Sequence, residues 1–155
     1  MAQQPPPELT HIADLNITVA PPIEIGETGV GQRRVIAITG GTVSGSVLKG
    51  RVLPAGADFQ IIRPSGVTEL VARYVIEADD GALVYIENNG LRDGPPALLE
   101  RLRRGEAVDP ALIYFRTVPR FETAAERLQF LTRRIFVGVG ARYPDRVALS
   151  VWMVE

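Results

Sequence analysis

Apolar and polar residues alternate along much of the chain, which is typical of strands with one buried face. The alternation is clear in segments such as LTHIADLNITV and VTELVARYVIEA. The stretches PSG, ADDG and NNG separate these segments, and their Asp-Gly and Asn-Gly pairs favour tight hairpin turns. Strands at such short intervals predict an antiparallel barrel or sandwich rather than a sheet in which strands and helices alternate.

Two segments depart from this pattern and predict short helices. In GPPALLERLRRG three leucines lie at helical spacing, with prolines suited to the start and a glycine suited to the end, which predicts a helix over 96–104. The segment TAAERLQFL predicts a second helical turn, with Thr123 as N-cap and Glu126 three residues later. We therefore expect an all-β protein, a single calycin- or lipocalin-like antiparallel β-barrel of eight to nine strands with one or two short helices.

The length and composition agree with one globular domain. The chain has 155 residues, of which 46% are hydrophobic and 23% are charged. Residues 1–8 are rich in proline and predict a flexible tail, and residues 9–155 form the expected barrel domain. No signal-peptide pattern opens the sequence, and no apolar run approaches the roughly 18 residues that span a membrane. We expect a cytoplasmic protein that does not associate with membranes.

Several kinds of chemistry are excluded by residues that the sequence lacks. There is no cysteine and only one histidine, His11, so disulfides, thiolate catalysis, zinc sites and a Ser-His-Asp triad have little support. We expect no metal and no cofactor. The net charge of −1, without a basic stripe, argues against nucleic-acid binding. Sixteen of the seventeen cationic residues are arginines. This bias reflects either a GC-rich genome or the use of planar guanidinium groups to bind carboxylates.

A glycine-rich run, ITGGTVSGSVLKGRVLPAGADF, is a candidate phosphate-binding loop. Gly40 and Gly45 have the separation of a P-loop, but Ser46 stands where the motif needs lysine and Val47 where it needs a hydroxyl. The glycines instead fit the kinks and bulges of a strongly coiled sheet. Glycine also lets a backbone approach a ligand closely, and Gly41 is a candidate for that role.

Four segments carry a resemblance to a known family. The segments ITGGTVSGSVLKGRVLPAGADF, ARYVIEADDGALVYIENNG, YFRTVPRFET and RRIFVGVGARYPDRVALSVWMV resemble, in order and spacing, the family called domain of unknown function 3237, or UPF0311. The resemblance implies a small antiparallel β-barrel and no agreed activity. Relatives often carry Trp at Phe59, an acidic residue at Val71 and Asn at Thr132. If these positions line the pocket, this chain takes a less polar ligand or has reduced chemistry.

Candidate catalytic residues lie where strands meet loops. Asp58, in PAGADF, is either a general base or a turn cap. In YFRTVPRFET, Tyr114 and Arg116 share one strand face, and Arg120 and Glu122 follow at the expected barrel rim. An arginine beside a carboxylate suits a base and equally suits a structural ion pair. The catalytic prediction is Asp58 or Glu122 as base, with Arg116 or Tyr114 stabilising developing negative charge.

Ligand-binding candidates occur in neighbouring pairs on strands. Arg73 and Tyr74 point to opposite faces, so only one of them faces the barrel interior, and the sequence does not choose between them. Arg133 and Arg134 likewise point to opposite faces of a predicted strand, and one of them is expected to meet Glu122 or a ligand carboxylate. The predicted ligand-binding residues are Arg73, Tyr74, Arg120, Thr132, Arg134 and Gly41.

Three functions remain open at this point. The leading one is binding of a small organic molecule, with cofactor-free isomerisation, cyclisation or hydration if the protein is an enzyme. The second is a non-catalytic carrier or sensor of apolar small molecules. The third is a structural or interaction protein with a filled barrel, whose exposed sheet edge would join two copies into a homodimer.

Overall fold

The computed structural model describes residues 2–155, which form one antiparallel sheet of nine strands. Hairpins join most consecutive strands, and the predicted turn at Asp80-Gly81 joins the strands Thr68–Ala78 and Leu83–Asp93. The turn predicted at NNG is wrong, because Asn89 and Gly90 lie inside the strand Leu83–Asp93. The strands are β1 (Leu9–Val19), β2 (Ile23–Thr28), β3 (Gly31–Ser44), β4 (Gly50–Ile62), β5 (Thr68–Ala78), β6 (Leu83–Asp93), β7 (Tyr114–Thr123), β8 (Ile135–Arg142) and β9 (Arg146–Val154).

Eight of the nine strands close into a barrel. The hydrogen-bonded order is β1-β9-β8-β7-β6-β5-β4-β3, and β3 pairs back with β1, with Leu15 opposite Val43. The remaining strand, β2, extends the sheet beyond β3. The prediction of an antiparallel barrel with eight to nine strands is therefore confirmed.

Glycines form the corners at which this sheet curls. The β3–β4 register shifts before Gly41, and the β4–β5 register shifts before Gly56. Both residues have positive φ, +148° and +119°, and a Cβ at either would collide with a backbone oxygen of the neighbouring strand. The glycine run thus serves sheet curvature, and Gly41 packs against β1 at Asn16.

Three short helical segments complete the fold of residues 2–155. The α-helix α1 spans Pro96–Arg103, close to the predicted 96–104. Two 3₁₀ helices span Pro110–Leu112 and Glu126–Thr132. The second lies in the predicted TAAERLQFL segment, but Ala125 rather than Thr123 occupies its N-cap. The Thr123 hydroxyl instead accepts a 3.1 Å hydrogen bond from the Ala125 backbone N–H just before the helix. No helix in this part of the chain is long and apolar enough to cross a membrane.

The barrel interior divides into two halves of different character. One half is a dry apolar core that the second 3₁₀ helix closes with Leu128 and Leu131, and there Phe121 and Phe136 meet edge to face with centroids 5.1 Å apart. The α1 helix lies against the other end, where Arg34 Nη2 donates a 3.2 Å hydrogen bond to the Arg103 carbonyl oxygen. A polar cavity occupies that second half.

Candidate functional site

The cavity lies inside the barrel and is lined by side chains from all eight barrel strands. About 560 Å³ is free of protein atoms, including the part that opens to solvent. The apolar lining residues are Ile17, Val19, Ile36, Ile38, Leu70, Ala72, Phe115, Val147 and Leu149. The polar ones are Asp58, Gln60, Tyr74, Asn88, Arg92, Thr117 and Arg142.

Five polar atoms of these lining residues are sealed from solvent and have no hydrogen-bond partner within residues 2–155. Buried polar groups in proteins are normally hydrogen-bonded, and leaving one unpaired costs about 1–3 kcal/mol. Polar atoms of this kind in a cavity are satisfied in proteins either by ordered water or by a bound molecule. The five atoms are Asp58 Oδ1, Gln60 Oε1, Tyr74 Oη, Asn88 Oδ1 and Thr117 Oγ1.

Asp58 is the carboxylate of this site. It lies on β4, and Gln60 Nε2 on the same strand donates a 2.7 Å hydrogen bond to Asp58 Oδ2. Burial raises the pKa of the Asp58 carboxyl, whereas the Gln60 hydrogen bond and the charges of Arg92 and Arg142 oppose the rise. A raised pKa makes this carboxylate a stronger base than that of an exposed aspartate.

Tyr74 faces the same cavity from the neighbouring strand β5. Its side chain is fully buried, and burial raises the pKa of its hydroxyl, with a further rise caused by the negative charge of Asp58. The hydroxyl therefore stays protonated and is available as a hydrogen-bond donor. Asp58 and Tyr74 together offer a proton-transfer group and a neutral donor.

Two arginines border the end of the cavity next to α1. Arg92 on β6 is 5% exposed and packs over the Phe115 ring, 5.6 Å from its centroid. Burial lowers the pKa of Arg92 to about 10, which leaves it charged at neutral pH. Burial likewise lowers the pKa of Arg142 on β8. Neither arginine forms an ion pair with a carboxylate in the described part of the chain.

Two of the residues singled out from the sequence meet in the cavity, Asp58 and Tyr74. The alternation of β5 places Tyr74 inside, so Arg73 points outward, is exposed and lies 3.7 Å from Glu87. The choice that the sequence left open between Arg73 and Tyr74 is therefore decided by the direction of this strand's side chains.

The candidates on β7 lie outside the barrel. Phe115 and Thr117 point into the cavity, so Tyr114, Arg116, Arg120 and Glu122 take the outer face and are exposed. Arg116 stacks over the Tyr114 ring at 5.4 Å from its centroid and donates to the Phe115 carbonyl oxygen. The expectation that these four residues line the cavity is corrected by the strand's alternation, which gives the inward positions to the odd-numbered residues.

Three further candidates border a groove on the outer surface between β7 and β8, namely Arg120, Thr132 and Arg134. The Thr132 hydroxyl donates a 2.8 Å hydrogen bond to the Gln129 carbonyl oxygen, and Arg134 Nη1 donates to the Arg133 carbonyl oxygen. The structure therefore brings these three together, but away from Asp58. Gly41 is likewise not among the cavity-lining residues.

The positions at which the sequence departs from its family also lie away from the cavity. Phe59 is 38% exposed, Thr132 is exposed, and Val71 is not among the lining residues. Their side chains therefore leave the polarity of the cavity unchanged, and the expectation of a less polar ligand has no support from these positions.

Five lining residues were missed by the sequence reasoning. The sequence does hold a signal for them, because each is a polar residue at an inward position of a strand that also has apolar inward positions. On β6, for example, Asn88 and Arg92 follow the buried Val84 and Ile86 at even spacing. The missed residues are Gln60, Asn88, Arg92, Thr117 and Arg142.

Within residues 2–155, no three His, Cys, Asp or Glu side chains come together in a way that could hold a metal ion. The chemistry available in the cavity is that of one carboxyl, one phenol, two amides, one hydroxyl and two guanidinium groups.

The fold and the cavity define a class, that of small closed antiparallel barrels with an internal pocket. The chain belongs to the family described as protein of unknown function (DUF3237), whose model matches residues 7–154. It is similar to a UPF0311 protein of Bradyrhizobium diazoefficiens, with 51% identity over 144 residues, 93% of this chain and 94% of that protein.

Solved structures of similar proteins share the barrel. A conserved protein of unknown function from Rhodopseudomonas palustris superposes with a TM-score of 0.93 at 49% identity, over 98% of this chain and 100% of that one. An enzyme from Penicillium herquei superposes with a TM-score of 0.75 at 19% identity, over 100% of this chain and 99% of that one. At that identity the likeness shows the fold alone.

Proposed function

We propose that the protein binds a small organic molecule in the barrel cavity and catalyses a cofactor-free proton transfer on it, of the isomerase, cyclase or hydratase type. The observation that carries the proposal is the buried Asp58 carboxyl, which faces the cavity beside the Tyr74 hydroxyl. The unpaired atoms of Gln60, Asn88 and Thr117 supply further polar contacts around the same space.

The roles follow from the chemistry of the two groups. In an isomerisation or cyclisation, Asp58 accepts a proton from a carbon or hydroxyl of the ligand and returns it at another atom. In a hydration, Asp58 takes the proton from one reacting water molecule, whose hydroxyl bonds to the ligand, and returns that proton to the neighbouring carbon. Tyr74 donates a hydrogen bond to the ligand oxygen on which negative charge develops. The apolar wall excludes water, which strengthens both interactions.

A second candidate is a non-catalytic carrier, which is favoured by one observation. Nine of the sixteen lining residues are apolar, so a ligand's hydrocarbon part is well accommodated whether or not it reacts. The enzyme from Penicillium herquei is a precedent for catalysis on this fold, and its likeness to this chain extends no further than the fold.

Deuterium exchange tests the catalytic proposal without knowledge of the natural substrate. The protein is incubated in D₂O with a panel of small enolisable ketones and unsaturated alcohols, and proton NMR follows deuterium uptake and rearrangement. We expect the wild type to accelerate exchange in at least one compound, and Asp58→Asn to lower that rate by about 10²–10⁴-fold. Glu122→Gln, which changes an outward carboxylate, is the matched control and keeps the wild-type rate.

The outcomes separate the candidate functions. An Asp58→Asn variant as fast as the wild type would contradict the proposal. Saturable binding without exchange in any compound would favour the carrier. Absence of any ligand-induced shift in the methyl signals of Ile36, Ile38 and Leu149 would favour the structural protein.

A further inference from the structure

Arg92 is the feature that proton transfer at Asp58 leaves unexplained. Its side chain is 5% exposed, lines the cavity, and makes no hydrogen bond or ion pair with another residue between 2 and 155. Taking a charged side chain out of water costs several kcal/mol unless a partner compensates it. A buried guanidinium that faces a cavity without a partner is therefore arranged for something that enters the cavity.

Arg142 adds a second guanidinium at the same place; it is half-buried, forms no ion pair with any residue from 2 to 155, and donates one long hydrogen bond of 3.4 Å to the Arg146 carbonyl oxygen. It lines the cavity from β8, and the two guanidinium groups are close enough that the charge of Arg142 lowers the pKa of Arg92. Arg34 also lies at this end, but Glu24 Oε1 is 2.9 Å from Arg34 Nη2 and neutralises it. Asp58 is the one carboxylate among the lining residues, and its charge favours the charged form of both arginines, but it forms an ion pair with neither. One carboxylate therefore faces two guanidinium groups in this cavity.

The position of these charges fits one part of an elongated ligand. Arg92 also borders the depression next to α1, so the arginines lie at the α1 end of the cavity. The apolar wall continues from them towards Tyr74. An anion held at the arginines would therefore leave the rest of a ligand against apolar side chains.

We propose that Arg92 and Arg142 form a subsite for a carboxylate of the ligand, which makes the ligand a small carboxylic acid. The planar fork of guanidinium matches a carboxylate in a bidentate arrangement. A more highly charged phosphate fits less well, because Asp58 places a carboxylate in the same cavity and would repel a dianion more strongly than a monoanion. The inference rests on the proposed function, since it names the class of molecule that occupies the same cavity.

The arginine side chains report directly on such a subsite. The Nε–H signals of ¹⁵N-labelled protein are followed by NMR during titration with acetate and benzoate, with acetamide and benzamide as neutral isosteres and inorganic phosphate as a third arm. Loss of a signal in Arg92→Met or Arg142→Met assigns it. We expect shifts of both signals that saturate with a Kd on the order of 1 mM for benzoate, and at least about tenfold weaker binding of benzamide and phosphate.

The variants test which arginines are responsible. Arg92→Met and Arg142→Met should each lower benzoate affinity by about tenfold or more, while Arg73→Gln, which removes an outward arginine, leaves it unchanged. Replacing a buried charge by an apolar side chain of similar length is often neutral or stabilising, so these variants are expected to fold. If one of the variants does not fold, titration of the wild-type protein with the acids and with the amides still shows whether the cavity prefers a carboxylate.

Three results would overturn the inference. They are equal affinity for benzoate and benzamide, unchanged benzoate affinity in both arginine variants, and no saturable shift with either acid up to about 100 mM, far above a millimolar Kd. Deuterium exchange of neutral ketones without any carboxylate binding would remove the subsite and leave the proposed function. Carboxylate binding without any deuterium exchange would support the arginine subsite and contradict the proposed catalysis.

Discussion

Gln60 Nε2 lies 2.7 Å from Asp58 Oδ2, so a neutral amide holds the carboxyl at the centre of the barrel. The two residues are two positions apart on β4, and this spacing turns both side chains inward. The hydrogen bond favours the ionised carboxylate, and burial disfavours it. Burial therefore raises the Asp58 pKa against the Gln60 hydrogen bond and the arginine charges, and mutation of Gln60 isolates the contribution of the hydrogen bond.

Removing the amide should raise the Asp58 pKa further. In Gln60→Leu the carboxylate loses its hydrogen bond, while the Arg92 and Arg142 charges and the burial remain. The measurement is the pH titration of the Asp58 carboxyl carbon by ¹³C NMR. Gln32→Leu is the control, because Gln32 contacts Arg103 rather than Asp58. A titration curve of Gln60→Leu that coincides with that of the wild type would show that the hydrogen bond does not tune the carboxyl.

Asp58 should also make the protein less stable as the pH rises. Its pKa is raised in the folded state, against about 4 in the unfolded chain, so the folded protein binds the extra proton between these two values. Stability therefore falls as the pH increases from about 4 to the folded-state pKa. Asp58→Asn, which imitates the neutral form, should lose this decline. In thermal unfolding between pH 4 and 8, the melting temperature of Asp58→Asn minus that of the wild type should increase with pH. A difference that decreases with pH would contradict the raised pKa of Asp58.

The Tyr74 hydroxyl should cost stability. It is buried without a hydrogen-bond partner among residues 2–155, so Tyr74→Phe should raise the free energy of unfolding by about 1 kcal/mol. Tyr114→Phe is the matched control, since Tyr114 is 56% exposed, and it should change stability by less than about 0.5 kcal/mol. Urea denaturation measures both. Destabilisation of Tyr74→Phe by more than about 1 kcal/mol would mean that the hydroxyl is already satisfied in the folded protein.

Gly41 should resist substitution. Gly41→Ala combines a positive φ with a Cβ that would collide with the Asn16 carbonyl oxygen, so we expect a loss of about 3 kcal/mol or more, or failure to fold. Gly81 has a positive φ of +89° but no atom near its Cβ position, and Gly81→Ala should cost only about 1 kcal/mol. Urea denaturation of both variants separates steric collision from backbone strain. Similar losses of stability in the two variants would show that the structure relieves the collision at little cost in free energy.

The fold could be predicted from the sequence because its signals are local. Alternation gives the strands, Asp80-Gly81 gives the β5–β6 hairpin, and the Pro and Gly around ALLERLRR delimit α1. The turn expected at NNG is wrong, because Asn89 and Gly90 lie within β6 and pair with both neighbouring strands. The family resemblance extends the same conclusion over nearly the whole chain. The sequence could not show that β2 lies outside the barrel. That position depends on β3 pairing with β1 to close the sheet, which leaves β2 paired with β3 alone.

The site could be predicted only in part because alternation does not say which face is inside. On β7 both faces of YFRTVPRFET hold aromatic and polar residues, and the inward face turned out to be that of Phe115 and Thr117 rather than Tyr114 and Arg116. Arg92 illustrates a second difficulty. A charged residue is ordinarily assigned to solvent, and its burial depends on a cavity that eight strands form together.

The division of the barrel interior has a consequence for the evolution of the family. The apolar half, with Leu128, Leu131 and Phe136, holds the strands together, and the cavity-lining Ile17, Ile38 and Leu149 belong to the same apolar cluster. The lining residues Gln60, Asn88 and Thr117 lie outside that cluster. Substitutions at these polar positions within the family would therefore keep the barrel while changing the shape and charge of its interior.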